Sequence, residues 1–312
     1  MGVLRDDHSG QSYTLSARTL VGRGRGCDLT VADALVSSEH ATVFWSTEGW
    51  VVRDLASRNG TSLDGERLEP GRDVLLRAGS RLAIGGADNL LTLVDAGPPF
   101  PMARRERDGA LRAASGDLLA LPDDDNPEAT VLRGGEGGWS LEMGEQARPV
   151  ADQDVVVIDD EAWRLHLPTV SAGATISGVT GGLVDPPITV VDVGLRLTVS
   201  KDEESVRLQV VLPEGATHDI PPRSWQFLLL HLARSRLSDQ GTLGPAEQGW
   251  VYVDDVLAGL GMSLGTLRLH VHRARQTLLD LGVEDASALI ERRTQAGQLR
   301  LGTGRIEVCR SE

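Results

Sequence analysis

Three short polar groups within residues 22–61 carry side chains that could bind an anion. They are Gly22-Arg23, Val36-Ser37-Ser38-Glu39-His40-Ala41 and Ser57-Arg58-Asn59-Gly60-Thr61. An arginine guanidinium binds anions, a serine hydroxyl donates a hydrogen bond, and an asparagine amide both donates and accepts. Each group alone is a weak signal. An arginine in a glycine-rich turn is usually solvated, and Asn-Gly between strands is usually only a turn.

Short predicted strands surround these groups. They cover residues 13–21, 41–45, 50–55, 81–84 and 90–94. Short strands separated by Gly and Asp turns are typical of a β-sandwich. Loops at one end of a sandwich would bring the three polar groups together on a rigid support. The sequence therefore predicts an all-β N-terminal domain.

In this order and spacing the three groups resemble the forkhead-associated (FHA) domain. The pattern of that family is Gly-Arg, then Ser-x-x-His, then Ser-x-Asn-Gly-Thr, and the resemblance covers about residues 11–97 of a predicted domain 1–98. It implies binding of a phosphothreonine on a partner protein. Arg23 and Ser37 would bind the phosphate, and the Asn59 amide would bind the peptide backbone.

The resemblance also assigns roles to neighbouring residues. Arg58 is a secondary candidate for the phosphate. Ser38 departs from the family, which often has Arg or Asn there, and a lost hydrogen bond to a charged group typically removes about 1.5–3 kcal/mol. Affinity would then be lower, unless Arg25 and Arg58 compensate. The residues expected to shape the loops are Gly22, His40, Gly60 and Thr61.

Residues 109–168 predict a small β-rich block of unknown role. Ala41-Thr42-Val43-Phe44 precedes Gly49-Trp50, and Ala129-Thr130-Val131-Leu132 precedes Gly138-Trp139 in the same way. This echo has two explanations. The block is a shortened, degenerate FHA-like repeat, or the two hairpins share only the composition of β-sheets.

Two stretches predict linkers. Residues 98–108 contain Pro-Pro and a run of arginines, and residues 169–188 are rich in Gly, Ser, Thr and Pro. The second composition is typical of a flexible linker. Residues 189–312 then form a predicted α+β domain.

The C-terminal domain shows strand patterns followed by helical spacing. The predicted helices are 225–237, 254–260, 264–281 and 286–293. The segments 298–301 and 305–308 flank Gly302-Thr303-Gly304, which predicts a hairpin. Strands, three helices and a terminal hairpin resemble the effector domain of OmpR-type transcription regulators. That resemblance implies a winged helix-turn-helix that binds DNA.

The helix 264–279 has one apolar and one basic face. Ser263 is the predicted N-cap. The predicted buried residues are Leu264, Leu267, Val271, Ala274 and Leu278. By the resemblance, the helix enters the major groove and the wing around Gly302–Arg305 touches the minor groove or the backbone. The predicted DNA contacts are Thr266, Arg268, His272, Arg273, Arg275 and Arg305.

The charge leaves a second interpretation of this domain open. Residues 201–312 carry 13 Lys or Arg and 15 Asp or Glu, and the whole chain has a net charge of −14. A DNA-binding domain usually has a basic surface. One hypothesis is a transcription regulator that binds DNA and a Thr-phosphorylated partner, namely a Ser/Thr kinase or its substrate. The alternative is a scaffold without DNA that assembles a kinase or secretion complex.

Other functional classes lack support in the sequence. No catalytic cluster, cofactor motif or metal-ligand spacing is present, so we expect no enzyme, cofactor or metal. Asp123-Asp124-Asp125-Asn126 lacks the Gly and Glu of a calcium loop and predicts an acidic turn. No apolar run suits a membrane span and no signal peptide is visible, which predicts a cytoplasmic protein without membrane contact. Arginine greatly outnumbers the single Lys201, which indicates a bacterial source.

Overall fold

A computed structural model describes residues 1–133, 138–168 and 186–311 of the chain. These residues form two compact units. The first contains residues 1–113, 151–156 and 163–168, and the second contains 114–133, 138–150, 157–162 and 186–311. The predicted linker 169–188 lies almost entirely outside the described residues. The predicted domain boundaries stay predictions.

Residues 1–113 form a series of short strands separated by tight turns. They are β1 Gly2–Asp6, β2 Ser12–Thr14, β3 Arg18–Gly22, β4 Leu29–Thr30, β5 Ala41–Ser46, β6 Gly49–Asp54, β7 Thr61–Leu63, β8 Glu66–Arg67, β9 Asp73–Leu75, β10 Arg81–Ile84, β11 Leu90–Ala96, β12 Met102–Arg105 and β13 Leu111–Ala113.

The first eleven strands form a β-sandwich. One sheet has the order β2-β1-β11-β10-β7-β8 and the other β4-β3-β5-β6-β9. Leu4 and Leu93 from the first sheet and Val52 from the second are fully buried in one common core. Burial of each such side chain contributes about 1.5–3 kcal/mol. The β-sandwich prediction for residues 11–97 is confirmed, and the core holds the loops at the strand ends in place.

The described residues between 114 and 168 add six strands. They are β14 Leu118–Pro122, β15 Pro127–Arg133, β16 Trp139–Met143, β17 Gln146–Val150, β18 Val155–Ile158 and β19 Glu161–His166. Strands β14 to β17 pair in sequence order as an antiparallel sheet, which we call the meander sheet. Both members of the sequence echo are antiparallel strand pairs, β5–β6 and β15–β16. Two such strand pairs are compatible both with a degenerate FHA-like repeat and with shared β-sheet composition alone.

A second four-stranded sheet has the order β13-β12-β19-β18. Its strand Met102–Arg105 lies within residues 98–108, so the linker prediction there is wrong in part. The strand pairs with Leu111–Ala113 on one side and with β19 on the other. Met102 and Ala103 are buried. The preceding proline-rich run hid this short strand in the sequence.

The C-terminal segment contains strands and helices. They are β20 Gly194–Val199, β21 Val206–Val211, β22 Thr217–Ile220, α1 Gln226–Ser238, β23 Val251–Tyr252, α2 Val253–Leu260, α3 Leu264–Asp280, β24 Ile290–Arg293, β25 Gln298–Leu301 and β26 Ile306–Arg310. Short 3-10 turns lie at Val190–Asp192, Ala286–Leu289 and Thr294–Ala296. No helix within the described ranges is long and apolar enough to cross a membrane.

Three of the four predicted C-terminal helices are present, each within one residue of its predicted ends. The prediction of a helix over 286–293 is wrong. Ala286–Leu289 is a single 3-10 turn, and Ile290–Arg293 is a strand. Ile290 pairs with Leu301 of β25, and this backbone pairing overrides the helical spacing.

The predicted terminal hairpin is also wrong. Gln298–Leu301 pairs with Ile290–Arg293, whereas Ile306–Arg310 runs parallel to Gly194–Val199 in another sheet. The hairpin that the structure does contain is β24–β25. Its turn ends at Gly297, whose φ of 61° suits glycine. Gly302 serves a different purpose, because a Cβ there would overlap the carbonyl oxygen of Ala288.

The helix α3 packs its predicted apolar face into the C-terminal core. Leu267, Val271, Ala274 and Leu278 are buried, and Leu264 packs against them. The Ser263 hydroxyl accepts a hydrogen bond of 3.1 Å from the Thr266 N–H, so the predicted N-cap is confirmed. The helix is therefore fixed in rotation, which determines the direction of its polar side chains.

Candidate functional site

Three loops of the sandwich carry the predicted phosphate-binding residues. They follow β3, precede β5 and follow β6. The Arg23 N–H donates to the Ser37 carbonyl oxygen at 2.8 Å, and the Gly24 N–H donates to the Ser38 carbonyl oxygen at 2.9 Å. A Cβ at Gly22 would overlap the same Ser38 oxygen. The first two loops therefore touch through their backbones, and only glycine fits at this contact.

Arg23 is exposed at the junction of these loops. Its Nε–H donates to the Val36 carbonyl oxygen at 3.2 Å, which orients the side chain along the second loop. A guanidinium carries five N–H donors, so the remaining ones can bind an anion. Arg25 lies two residues further along the same loop and is also exposed.

The second and third loops are joined by side-chain hydrogen bonds. The Ser37 hydroxyl accepts from the Arg58 N–H at 3.1 Å, so its own proton can be donated to a ligand. Asn59 donates from Nδ2 to the Leu35 carbonyl oxygen at 2.7 Å. The amide group keeps a second N–H and its carbonyl oxygen for a ligand. Arg58 and Asn59 are both exposed.

His40 connects the same two loops from below. The ring is fully buried. Its Nδ1 accepts from the Ser37 N–H at 3.0 Å, and its Nε2 lies 3.1 Å from the Gly60 carbonyl oxygen. Since Nδ1 is an acceptor and Gly60 offers an acceptor, the geometry indicates a neutral ring that carries its proton on Nε2. This placement fits the expected loop-shaping role.

Asp54 is a supporting residue that the sequence analysis missed. Its carboxylate accepts from the Ser57 hydroxyl and the Thr61 hydroxyl, each at 2.6 Å, and from the Ser57 N–H at 2.9 Å. Burial alone would raise the pKa of this carboxyl, but these hydrogen bonds lower it below 3.8. The only sequence signal was an aspartate three residues before a serine, which is common in turns.

Ser38, the residue that departs from the family pattern, is exposed. Its carbonyl oxygen accepts from Gly24 and from the Cys27 thiol, whose sulfur lies 3.0 Å away. Burial raises the pKa of the Cys27 thiol, so the sulfur acts as a weak donor in the loop. The Ser38 backbone thus anchors the first loop, while its side chain faces solvent.

The structure brings Arg23, Ser37, Ser38, Arg58 and Asn59 together on these adjoining loops. Gly22, His40, Gly60 and Thr61 lie directly beneath or between them. Gly60 has a φ of 83°, which suits glycine. Thr61 is buried against Asp54. Their roles in ligand binding stay predictions.

The predicted DNA contacts have a different environment. Arg268, His272, Arg273 and Arg275, which we call the basic face of α3, were expected to be exposed. That expectation is wrong for His272 and Arg275, whose side chains are 1% and 2% exposed. The cause is the meander sheet, whose acidic residues lie against this face. They come from positions about 130 to 150 residues earlier in the chain, so helical spacing gave no sign of them.

The other two predicted DNA contacts lie apart from the basic face. The Thr266 hydroxyl is 3.0 Å from the Ser263 hydroxyl at the start of α3. Arg305 precedes β26 and donates to the Asp192 carbonyl oxygen at 3.0 Å. Because the hairpin is β24–β25, Arg305 does not lie at its tip.

Comparisons with known proteins bear on the first unit. The family model of the FHA domain matches residues 19–85. An FHA domain-containing protein of Arabidopsis thaliana is 33% identical over 80 residues, which are 25% of this chain and 21% of that protein. The comparisons support an FHA domain at residues 19–85. Arg23, Ser37, Ser38, Arg58 and Asn59 all lie within this FHA domain.

Two further matches cover different shares of the chain. An uncharacterized protein of Caenorhabditis elegans is 26% identical over 187 residues, which are 51% of this chain and 26% of that protein. The structure of Mycobacterium tuberculosis EmbR in complex with a low-affinity phosphopeptide is 32% identical, with a TM-score of 0.28, and the match covers 31% of this chain and 25% of that one. The chain spans about a quarter or less of the length of the curated relatives it matches.

Proposed function

We propose that this chain is a signalling adaptor that binds a Thr-phosphorylated protein through the FHA domain. The observation that carries the proposal is the convergence of Arg23, Ser37 and Asn59 on loops locked together by hydrogen bonds. The partner would be a Ser/Thr kinase or its substrate. FHA domains are phosphopeptide-binding modules rather than enzymes, which fits this role.

The chemistry of the loops suits a phosphate dianion. The Arg23 guanidinium and the Ser37 hydroxyl would both provide charge-assisted hydrogen bonds, because the phosphate acceptor is ionised. Arg58 and Arg25 are exposed nearby and supply additional positive charge. This compensates for Ser38, where the family often has Arg or Asn. The Asn59 amide would then fix the peptide backbone beside the phosphate.

Calorimetric titration of the full chain with a phosphothreonine peptide library tests this proposal. We expect binding that is lost on dephosphorylation and abolished by Arg23→Ala or Asn59→Ala. Arg77→Ala is the matched control, since Arg77 is an exposed arginine of the FHA domain outside the three loops. Binding that survives Arg23→Ala or ignores dephosphorylation contradicts the proposal.

The same titration measures the preference for threonine. The extra methyl group of phosphothreonine would be buried, and one buried methyl group contributes about 0.8 kcal/mol, or roughly fourfold in affinity. Matched phosphoserine peptides should therefore bind more weakly by at least this factor. Equal affinity would leave phosphate binding intact but contradict a threonine-specific pocket.

DNA binding by the C-terminal segment is a second candidate function. The order of a sheet, three helices and a hairpin supports a winged-helix assignment, and α3 carries Arg268, His272 and Arg275 on one strip, with Arg273 off that strip. Helix α2 ends at Gly261, whose φ of 61° suits glycine, and α3 begins two residues later at its N-cap Ser263. The alternative is a protein scaffold without DNA, which the paired charges of α3 favour in this arrangement.

A further inference from the structure

The basic face of α3 is neutralised within the chain. Arg268 pairs with the Glu128 carboxylate and also donates to the Glu128 carbonyl oxygen at 2.9 Å. Arg273 reaches an Asp125 oxygen at 2.5 Å, and His272 Nε2 lies 3.0 Å from an Asp124 oxygen. All three acidic residues belong to the β14–β15 turn or to β15.

The centre of the contact between α3 and the meander sheet is more deeply buried. Glu142 of β16 accepts from Arg275 at 2.8 and 3.2 Å, and Arg292 Nε lies 3.5 Å away. Burial alone would raise the pKa of Glu142, but the two guanidinium groups lower it. The carboxylate therefore stays charged. A charged group buried with its partners resists separation, because each partner alone would keep an uncompensated charge.

The rim of the contact is held more weakly. The side chains of Asp124 and Asp125 are 61% and 91% exposed. Exposed ion pairs contribute little to stability, since water and salt screen them. The rim can therefore exchange its carboxylates for other anions while the Glu142 centre keeps the sheet attached.

Carboxylates and phosphates offer the same kind of acceptor to a guanidinium. Each of the three arginines of the basic face, which could bind a nucleic-acid phosphate, is instead held by a carboxylate of the meander sheet or of its β14–β15 turn. Burial lowers the pKa of His272, so this side chain is mainly neutral at neutral pH. We infer that the meander sheet acts as an intramolecular competitor that closes α3 to nucleic acid. This inference rests on the second candidate function, DNA binding, and gives the β-rich middle block a regulatory role.

Fluorescence anisotropy of the full chain with labelled duplex DNA of mixed sequence tests the inference. The opened variant carries Asp124→Asn, Asp125→Asn and Glu128→Gln. The control carries Asp159→Asn, Asp160→Asn and Glu214→Gln, which change the net charge equally at exposed positions of the same unit. We expect the opened variant to bind about tenfold more tightly than the wild type at low salt, with a steeper salt dependence. The control should bind like the wild type.

Adding Arg268→Gln to the opened variant should reduce the gain, because Arg268 is one of the two guanidinium groups that this variant frees. Glu128→Gln alone should also tighten DNA binding, by a smaller factor. This single variant keeps the test valid if the triple variant folds poorly. Equal binding by the opened and control variants overturns the competitor role. If neither binds DNA at low salt, DNA binding through α3 fails and the inference fails with it. Phosphopeptide titration of the same preparations tests the FHA proposal separately.

Discussion

The backbone N–H of Ser37 donates a hydrogen bond to Nδ1 of His40, so a buried histidine holds the serine proposed to contact the phosphate. The other ring nitrogen faces the Gly60 carbonyl oxygen. One side chain thus sets the separation between the loop that carries Ser37 and the loop that carries Asn59. The loop conformation depends on the interior of the domain as well as on its surface.

His40→Ala should therefore impair both stability and binding. The substitution leaves the Ser37 N–H without its acceptor, and an unsatisfied group of this kind costs about 1–3 kcal/mol. The Gly60 carbonyl oxygen loses its contact with His40 but still accepts from the Gly85 N–H. We expect faster hydrogen exchange in β5 and β6 and weaker phosphopeptide binding. His8→Ala, at an exposed position of the same unit, is the control. Unchanged exchange in β5 and β6 would show that the histidine does not support the loops.

Gly22 ends β3 and Gly26 lies in the loop that follows it, so the two offer a matched pair of substitutions. A Cβ at Gly22 would overlap the Ser38 carbonyl oxygen, whereas a Cβ at Gly26 has no neighbour within 4 Å. Gly22→Ala should separate the first two loops and lower phosphopeptide affinity by about tenfold or more, since small displacements of binding groups are costly. Gly26→Ala should bind like the wild type. Calorimetry on both variants measures this, and equal affinities would mean that the loop contact has no effect on the site.

The sequence was sufficient to place the FHA loops because their signals are local. Gly22-Arg23, Ser37 with His40, and Asn59-Gly60 each lie within a few residues of one another, and their order is characteristic. Asp54 escaped notice because its role depends on hydrogen bonds to two serine and threonine hydroxyls that only the folded turn brings to it.

The C-terminal errors came from partners distant in sequence. Arg275 is predicted to face outward because it is charged, but it lies at the edge of the apolar face, four residues after Val271 and three before Leu278. Glu142 covers it there from 133 residues away. Gly302-Thr303-Gly304 looked like a hairpin turn, whereas Gly302 is required by close packing and Thr303 is buried. The periodicity of apolar residues correctly predicted which face of α3 packs on the core. It carries no information about which residues from elsewhere in the chain cover the other faces.

The Asp54 carboxylate makes the stability of the FHA domain depend on pH. Its folded pKa is lower than its ordinary value of 3.8, so its contribution is fully present above that value and is lost as the pH falls through the folded pKa. Asp54→Asn should destabilise the domain at pH 7, and the difference from the wild type should shrink below pH 3.8. Urea titrations followed by NMR signals of β5 and β6 at pH 7 and pH 3 measure this. A difference that is the same at both values would mean that the charge of Asp54 is irrelevant to stability.

Glu142 anchors the meander sheet to α3, and its removal should loosen both together. Glu142→Gln leaves Arg275 and Arg292 buried without a counter-charge, and breaking a buried pair in this way costs about 3–5 kcal/mol. Hydrogen exchange in α3 and β16 should accelerate by roughly a hundredfold or more if local opening carries the exchange, while β5 and β6 of the FHA domain serve as the internal reference. Glu214→Gln, at an exposed position, should change neither region.

A double-mutant cycle of Glu142→Gln with Arg275→Gln sharpens the test, because the second substitution should cost little once the first has been made. Additive effects of the two substitutions would mean that the pair does not hold the sheet to the helix, and the meander sheet would then lack the anchor that its competitor role requires.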